Sequence, residues 1–295
     1  MVKLAAFPKA FLDDILVHRT MPLLEWVRLA SGLDVDGVEM YSVFFDGKDE
    51  GFVEAVRAAC EGAGLEIPMM CFSPDFTKPD PAERREELRR QMAAVDLIAQ
   101  LGGRFCRTLS GQVRPGLDRD RTVGWCVEMI REACAYAQTK GVTLVMENHY
   151  KDSYWTHPEF ALRSEVFLRI VEQIDSPAFG INYDPSNAVV AGEDPLALLE
   201  QIKGRVRTMH ASDRYLEGGD LEDLRKMALE PGPGYTTVLH HGVIGKGLND
   251  YDAIFSTLKG AGFDGWVSIE DGMNGMEDLR ASVEFLRKKI AQHFS

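Results

Sequence analysis

The sequence lacks any uninterrupted apolar run of the roughly 18 or more residues that a membrane-spanning helix needs, so a membrane partner is not expected. It also lacks GxGxxG and the GxxxxGKS or GxxxxGKT loop, the glycine-rich turns that cradle dinucleotide and nucleotide phosphates. Basic residues are in short supply: 33 Lys and Arg stand against 46 Asp and Glu, for a formal net charge of −13. A surface of that sign repels phosphodiester backbones and anionic bilayers, which argues against nucleic-acid or membrane-surface binding. The five cysteines (Cys60, Cys71, Cys106, Cys126 and Cys134) are odd in number and have no CxxC spacing. They read as reduced thiols of a cytoplasmic protein. The opening stretch MVKLAAFPKAFLDD is interrupted by Asp13 and Asp14 and has no small-residue cleavage site, so it does not read as a signal peptide.

What is present is a regular alternation over 295 residues, 45% of them hydrophobic. Eight short strand-like runs cover 3–7, 36–41, 65–72, 104–109, 142–147, 178–184, 205–211 and 265–270. Amphipathic stretches separate them. In 81–103, Leu88, Met92, Val95, Ile98 and Leu101 form one apolar stripe that begins after a proline and stops at Gly102-Gly103. Stretches 121–141 and 276–294 repeat that pattern, and no Pro/Ser-rich linker breaks the series. Eight strand–helix units predict an α/β fold, a (β/α)8 TIM barrel formed by residues 1–295 as a single domain. The competing doubly wound sheet usually carries a glycine-rich turn after its first strand, and AFPKAFLDD is not one. One connection, 212–249 after the seventh strand, is too long for a plain barrel. Its turn signals and alternating segment predict order, with a lid over the barrel mouth or a contact between subunits of a homo-oligomer as the functional reading and simple decoration as the alternative.

Barrel enzymes of this kind place their chemistry at the C-terminal ends of the strands. The fifth strand, TLVME, ends in Glu147, the sixth in Asp184, the seventh carries His210 near its end, and the eighth ends in Glu270. The pairs Val145/Glu147, Asn182/Asp184, Thr208/His210 and Ser268/Glu270 each share a strand face, so all four groups are directed alike. A single acidic strand end is usually just the start of a solvated loop. Four on consecutive strands form a rim where three carboxylates would repel unless a cation holds them. The mostly hard donor set predicts one divalent metal, Mn²⁺ ahead of Mg²⁺, Co²⁺ and Zn²⁺. Weaker candidates for substrate contact are His149 on the face of Glu147, Arg107 on the fourth strand, Arg214, Lys246 in GKG, and Glu39 at the end of the second strand. His240 and His241 are neighbours, so at most one of them faces the site.

The motifs VMENH with Glu147, NYDPSN with Asp184, MHASDR with His210, Asp213 and Arg214, GKG at 245–247, and SIED with Glu270 resemble the sugar isomerase/epimerase family with the xylose-isomerase-like barrel. Tagatose 3-epimerase, hydroxypyruvate isomerase and inosose dehydratase belong to it. The N-terminal half matches only in general pattern, as in GVE at 37–39. The resemblance implies that Glu147, Asp184, His210 and Glu270 hold one divalent ion and that the two glutamates flank the substrate as acid and base. Where the family commonly has a histidine three residues after the aspartate, this chain has Asn187.

Such chemistry removes a weakly acidic C–H proton beside a carbonyl. A metal stabilises the enediolate and a placed carboxylate carries the proton, typically for about 10²–10⁴-fold in rate. The expected activity is isomerisation or epimerisation of a sugar or keto-sugar. A lyase that eliminates water or an alcohol β to the ketone is the alternative. A nuclease on the same barrel would need more histidines and a basic face, and a non-catalytic sugar-binding subunit would have lost a ligand.

Overall fold

The computed structural model describes residues 1–152, 154–227, 238–270 and 274–295. Its strands are β1 (Lys3–Ala6), β2 (Gly37–Val38), β3 (Met40–Tyr41), β4 (Met69–Cys71), β5 (Phe105–Thr108), β6 (Thr143–Glu147), β7 (Phe179–Tyr183), β8 (Val206–Ala211), β9 (Asp213–Leu216), β10 (Leu239–Gly242) and β11 (Trp266–Ile269). All barrel pairings are parallel, in the order β2-β1-β11-β8-β7-β6-β5-β4-β3. Strands β2 and β3 are two halves of one crossing, separated by Glu39. One half pairs with β1 and the other with β4, which closes an eight-position ring. The fold is the expected single-domain TIM barrel.

The helices follow from their sequences. Asp80 caps the helix Pro81–Gln100 by accepting from the Ala82 N–H, and the chain leaves it through Gly102 at φ 83°. That helix buries Leu88, Val95 and Ile98 against the strands, each worth about 1.5–3 kcal/mol. The helix Arg119–Thr139 has the same construction, capped by Asp118 and ended near Gly141 at φ 69°. The C-terminal helix spans Met276–Phe294.

The expected third strand, 65–72, shortens to Met69–Cys71 because Pro68 has no N–H to give a ladder, although its carbonyl still accepts from Arg104 and Phe105. The long connection 212–249 begins as an antiparallel hairpin, β9 on β10. The helix Leu221–Met227 follows β9, and Leu224, with Leu239, packs on Tyr150, Leu162 and Val189–Ala191 in a small apolar cluster beside the main core. Residues 228–237, the centre of the expected lid, lie outside the described residues. No helix among the described residues is long and apolar enough to cross a membrane.

Candidate functional site

Register brings the strand ends to one place. Ser268 lies beside His210, Thr208 beside Asn182, and Asn182 beside Glu147. One ligand atom from each of Glu147, Asp184, His210 and Glu270 lies within 4.8 Å of all the others. Glu147, Asp184 and His210 are buried, and the Glu270 side chain is 14% exposed, making it the accessible member.

Each group is fixed by its neighbours. Asp184 caps the turn of helix begun by Pro185, and its Oδ1 accepts from the backbone N–H of Ser186 (2.8 Å) and Asn187 (3.2 Å) and from Ser212 Oγ (2.9 Å). Asn148 clasps the Asp184 backbone, donating to its carbonyl (2.6 Å) and accepting from its N–H (2.9 Å). In the strand end Glu147-Asn148-His149, the amide therefore positions the next strand's carboxylate. Glu147 Oε2 accepts from Arg107 Nη1 (2.8 Å), while Oε1 lies 3.1 Å from His210 Nδ1 and accepts from Asn187 (3.2 Å). Glu270 Oε1 is paired with Lys9 Nζ at 2.9 Å.

The donor set fits a divalent cation. His210 Nε2 lies 2.9 Å from Glu39 Oε1, which assigns the ring proton to Nε2. The Nδ1 lone pair then faces Glu147 and, at 3.5 Å, Glu270 Oε2. A lone pair directed at carboxylates requires a positive charge between them, either a proton or a metal. Without a metal, burial would lower the His210 pKa, but Glu39 and Glu147 raise it well above the usual value. Burial pushes the Asp184 carboxyl up to about 6, reinforced by the charges of Glu147 and Glu270. Burial alone would raise Glu147 too, yet His210 and Arg107 bring it down to about 2. A divalent ion would relieve all of this crowding at once.

The weaker sequence candidates are placed as follows. Glu39 was expected to touch substrate at a strand end. It is instead fully buried in the gap between β2 and β3, behind His210, and accepts from Cys71 Sγ at 2.8 Å. Glu39, Cys71 and His210 are close enough to be a ligand group of their own, but burial pushes the Cys71 thiol up to about 12 and keeps it a donor. Arg107 was likewise expected to bind substrate; its guanidinium is buried and engaged by Glu147 and Ser73 Oγ (2.8 Å). Lys246 is exposed, and its GKG turn acts through its backbone. The Gly245 and Gly247 N–H groups donate to Asp213 Oδ2 at 2.9 and 3.0 Å, and a Cβ at Gly247 would meet Asp213 at 2.3 Å. His149 lies 3.2 Å from Glu159 and edge-on to Trp155. Arg214 is buried against His241, with Nη1 3.0 Å from the ring. His241 is thus the rim histidine: burial, Arg214 and Lys9 push it down to about 3, whereas His240 pairs with Glu217 and stacks on Tyr215.

Lys9 and Ser212 lie at the cluster but were not among the residues expected there, and Asn187, noted only as standing where the family has a histidine, donates to Glu147 and Asp184. Lys9 lies three residues beyond β1, at the C-terminal end of the first strand, so its signal in the sequence is the same strand-end position that marks the other four.

The sequence pattern of the xylose isomerase-like TIM barrel matches residues 27–289. The chain belongs to this family. An inosose dehydratase of Geobacillus thermodenitrificans (strain NG80-2) is 27% identical over 230 residues, which is 73% of this chain and 72% of that protein. A D-tagatose 3-epimerase-like protein has the same fold, with a TM-score of 0.76 at 18% identity over 99% of this chain and 98% of its own. The IOLI protein, solved with a zinc atom bound, has a TM-score of 0.74 at 16% identity over the whole of both chains. Similar proteins within this enzymatic family thus carry both epimerase and dehydratase names.

Glu39 tests the metal reading without touching the rim. Glu39→Gln should weaken divalent-metal binding about 10–100-fold, because the neutral amide no longer polarises His210 through Nε2. Calorimetric titration with Mn²⁺ and Zn²⁺ checks this, and unchanged affinity in a folded variant would refute the assigned support.

Proposed function

We propose that this chain is a divalent-metal-dependent enzyme that removes the proton beside the carbonyl of a sugar or keto-sugar, completing the reaction as an isomerase or epimerase. The observation carrying this reading is the pair Glu147 and Glu270 converging on His210 Nδ1, with Asp184 completing one four-donor cluster at the barrel mouth. When bound by these side chains, a divalent cation supplies Lewis acidity toward the substrate carbonyl and neighbouring hydroxyl. Glu270, accessible and kept ionised by Lys9, accepts the C–H proton. Arg107 holds Glu147 in place as a carboxylate.

An asymmetry favours the lyase as a second reading. Inversion needs a base on each face of the substrate, yet both Glu147 oxygens are engaged and only Glu270 opens toward solvent. A single working face suits isomerisation or elimination. The Lys9 ammonium beside Glu270 is a proton donor placed for a departing hydroxyl or alkoxide.

A panel of free and 3-keto sugars, each incubated with the Mn²⁺-loaded protein in deuterated water and followed by NMR, tests the proposal. Converted substrate should carry deuterium next to the carbonyl. Isomerised or epimerised product with no solvent deuterium in product or recovered substrate would count against proton transfer and overturn it, whereas an eliminated product need carry no label at that carbon. Loss of a β substituent identifies the lyase outcome.

A further inference from the structure

A cleft of about 580 Å³ opens beside the cluster, between the turn after β3 and the helix Pro81–Gln100. None of the four cluster residues lines it. It nonetheless belongs to the same rim, because Tyr41 ends β3 and Ser73, Gln112 and Asp152 lie in the segments after β4, β5 and β6. The two regions share a wall. Ser73 Oγ and Asp152 Oδ2 line the cleft and lie 2.8 and 4.0 Å from Arg107 Nη2, whose other nitrogen holds Glu147. The volume falls within the roughly 300–1,000 Å³ of sites that hold drug-sized ligands. It is therefore room for an entire ring in addition to the one at the cluster.

The chemistry of the lining selects the ring. Five aromatic side chains border it: Tyr41, Phe45, Phe72, Tyr154 and Trp155. Such faces stack on the C–H faces of sugars or on aryl rings. Four carboxylates (Asp46, Asp75, Glu87 and Asp152) outnumber two cations, Lys78 and Arg90. Both cations pair with the same carboxylate, Glu87, at 2.7 and 3.3 Å. Asp75 is in turn paired with Arg114, and Asp152 lies 4.0 Å from Arg107, so the wall is close to charge-balanced and a phosphate would find its neighbouring cations already engaged. We propose that the cleft is a second subsite that binds an uncharged ring, so that the substrate is a neutral two-ring glycoside, with one ring at the Glu147–Glu270 cluster and a sugar or aryl ring in the cleft. This rests on the sugar reading of the cluster, but its test needs no turnover.

Metal-loaded protein is titrated with methyl β-D-glucoside, phenyl β-D-glucoside, cellobiose, lactose and glucose 6-phosphate, reading Trp155 fluorescence against a Trp155→Phe control. At least one neutral two-ring ligand should bind about tenfold or more tighter than the single-ring glucoside, and the aryl and disaccharide arms tell which ring is preferred. Ala93 is an exposed residue of the cleft wall on the helix, so Ala93→Trp fills the space with little risk to folding. It should abolish the two-ring advantage and leave Mn²⁺ affinity unchanged. Tyr154→Ala, also at an exposed position, should reduce the advantage by removing one stacking face. The proposal is overturned if no two-ring ligand exceeds the single-ring one, if Ala93→Trp leaves the advantage intact, or if glucose 6-phosphate binds best and loses affinity in Ala93→Trp. If binding behaves as expected while solvent exchange is absent, the cleft stands and the catalytic reading falls.

Discussion

Asp184→Asn should lower divalent-metal affinity by well over the ~10–100-fold typical of losing a supporting group, because it neutralises one of the four proposed ligands. The same change should leave the metal-free protein at least as stable as the parent. Without a metal, burial and the Glu147 and Glu270 charges hold Asp184 at about 6, against an ordinary 3.8. A carboxyl whose folded pKa is raised contributes stability that is complete below its unfolded pKa and lost as the pH rises through the folded one. Ionised Asp184 therefore costs the metal-free protein stability above about pH 6, by at most roughly 3 kcal/mol from the size of that shift. Asparagine removes that cost, offset in part because its amide nitrogen meets the Asn187 amide where Asp184 Oδ2 accepted at 3.0 Å. Metal-free melting curves of parent and variant should thus differ most near pH 8 and converge as the pH falls toward 4. Metal titration should show the parent's affinity rising with pH through about 6. A merely structural aspartate would behave otherwise: its loss would lower metal-free stability and leave metal affinity nearly intact.

That opposition of signs was already implicit in strand parity. The period of two places Glu147, Asp184, His210 and Glu270 on like-directed faces, and the barrel does the rest by making consecutive strands neighbours. Helix limits were legible for the same local reason, since Asp80, Asp118 and the glycines that follow act within a few residues. What could not be read is pairing across the chain. Lys9 meets Glu270 from 261 positions away, and Glu39 meets His210 from 171. Parity gives a side chain's face but not its depth, so Glu39 and Arg107 looked like rim residues when they stand behind it as supports. The GKG tripeptide misled differently: its chemistry is two backbone N–H groups on Asp213, while attention falls on the lysine. The cleft beside the cluster had no sequence signal, because its aromatic walls come from three separate segments with no common period.

Glu270→Gln should reduce exchange of the substrate C–H with solvent by about 10²–10⁴-fold, the usual worth of a placed general base. Metal binding should weaken but persist, since the amide oxygen remains a donor. Glu147→Gln is the informative partner. It leaves the buried Arg107 guanidinium without its carboxylate at 2.8 Å, and breaking a buried pair costs about 3–5 kcal/mol. That variant should therefore lose thermal stability as well as activity, whereas Glu270→Gln loses activity on a stable scaffold. A third variant assigns the proton. Burial would raise the Glu270 carboxyl, but Lys9 foremost and His210 hold it well below the ordinary range. Lys9→Met removes the larger opposing charge, so the Glu270 pKa should rise, and the acid limb of the exchange rate should shift to higher pH. The shift is upward because the ionised form is the proposed base and now needs a higher pH to persist. NMR exchange rates measured across pH on metal-saturated protein decide the matter. An acid limb that does not move in Lys9→Met, together with undiminished exchange in Glu270→Gln, would remove Glu270 as the base and transfer that role to Glu147.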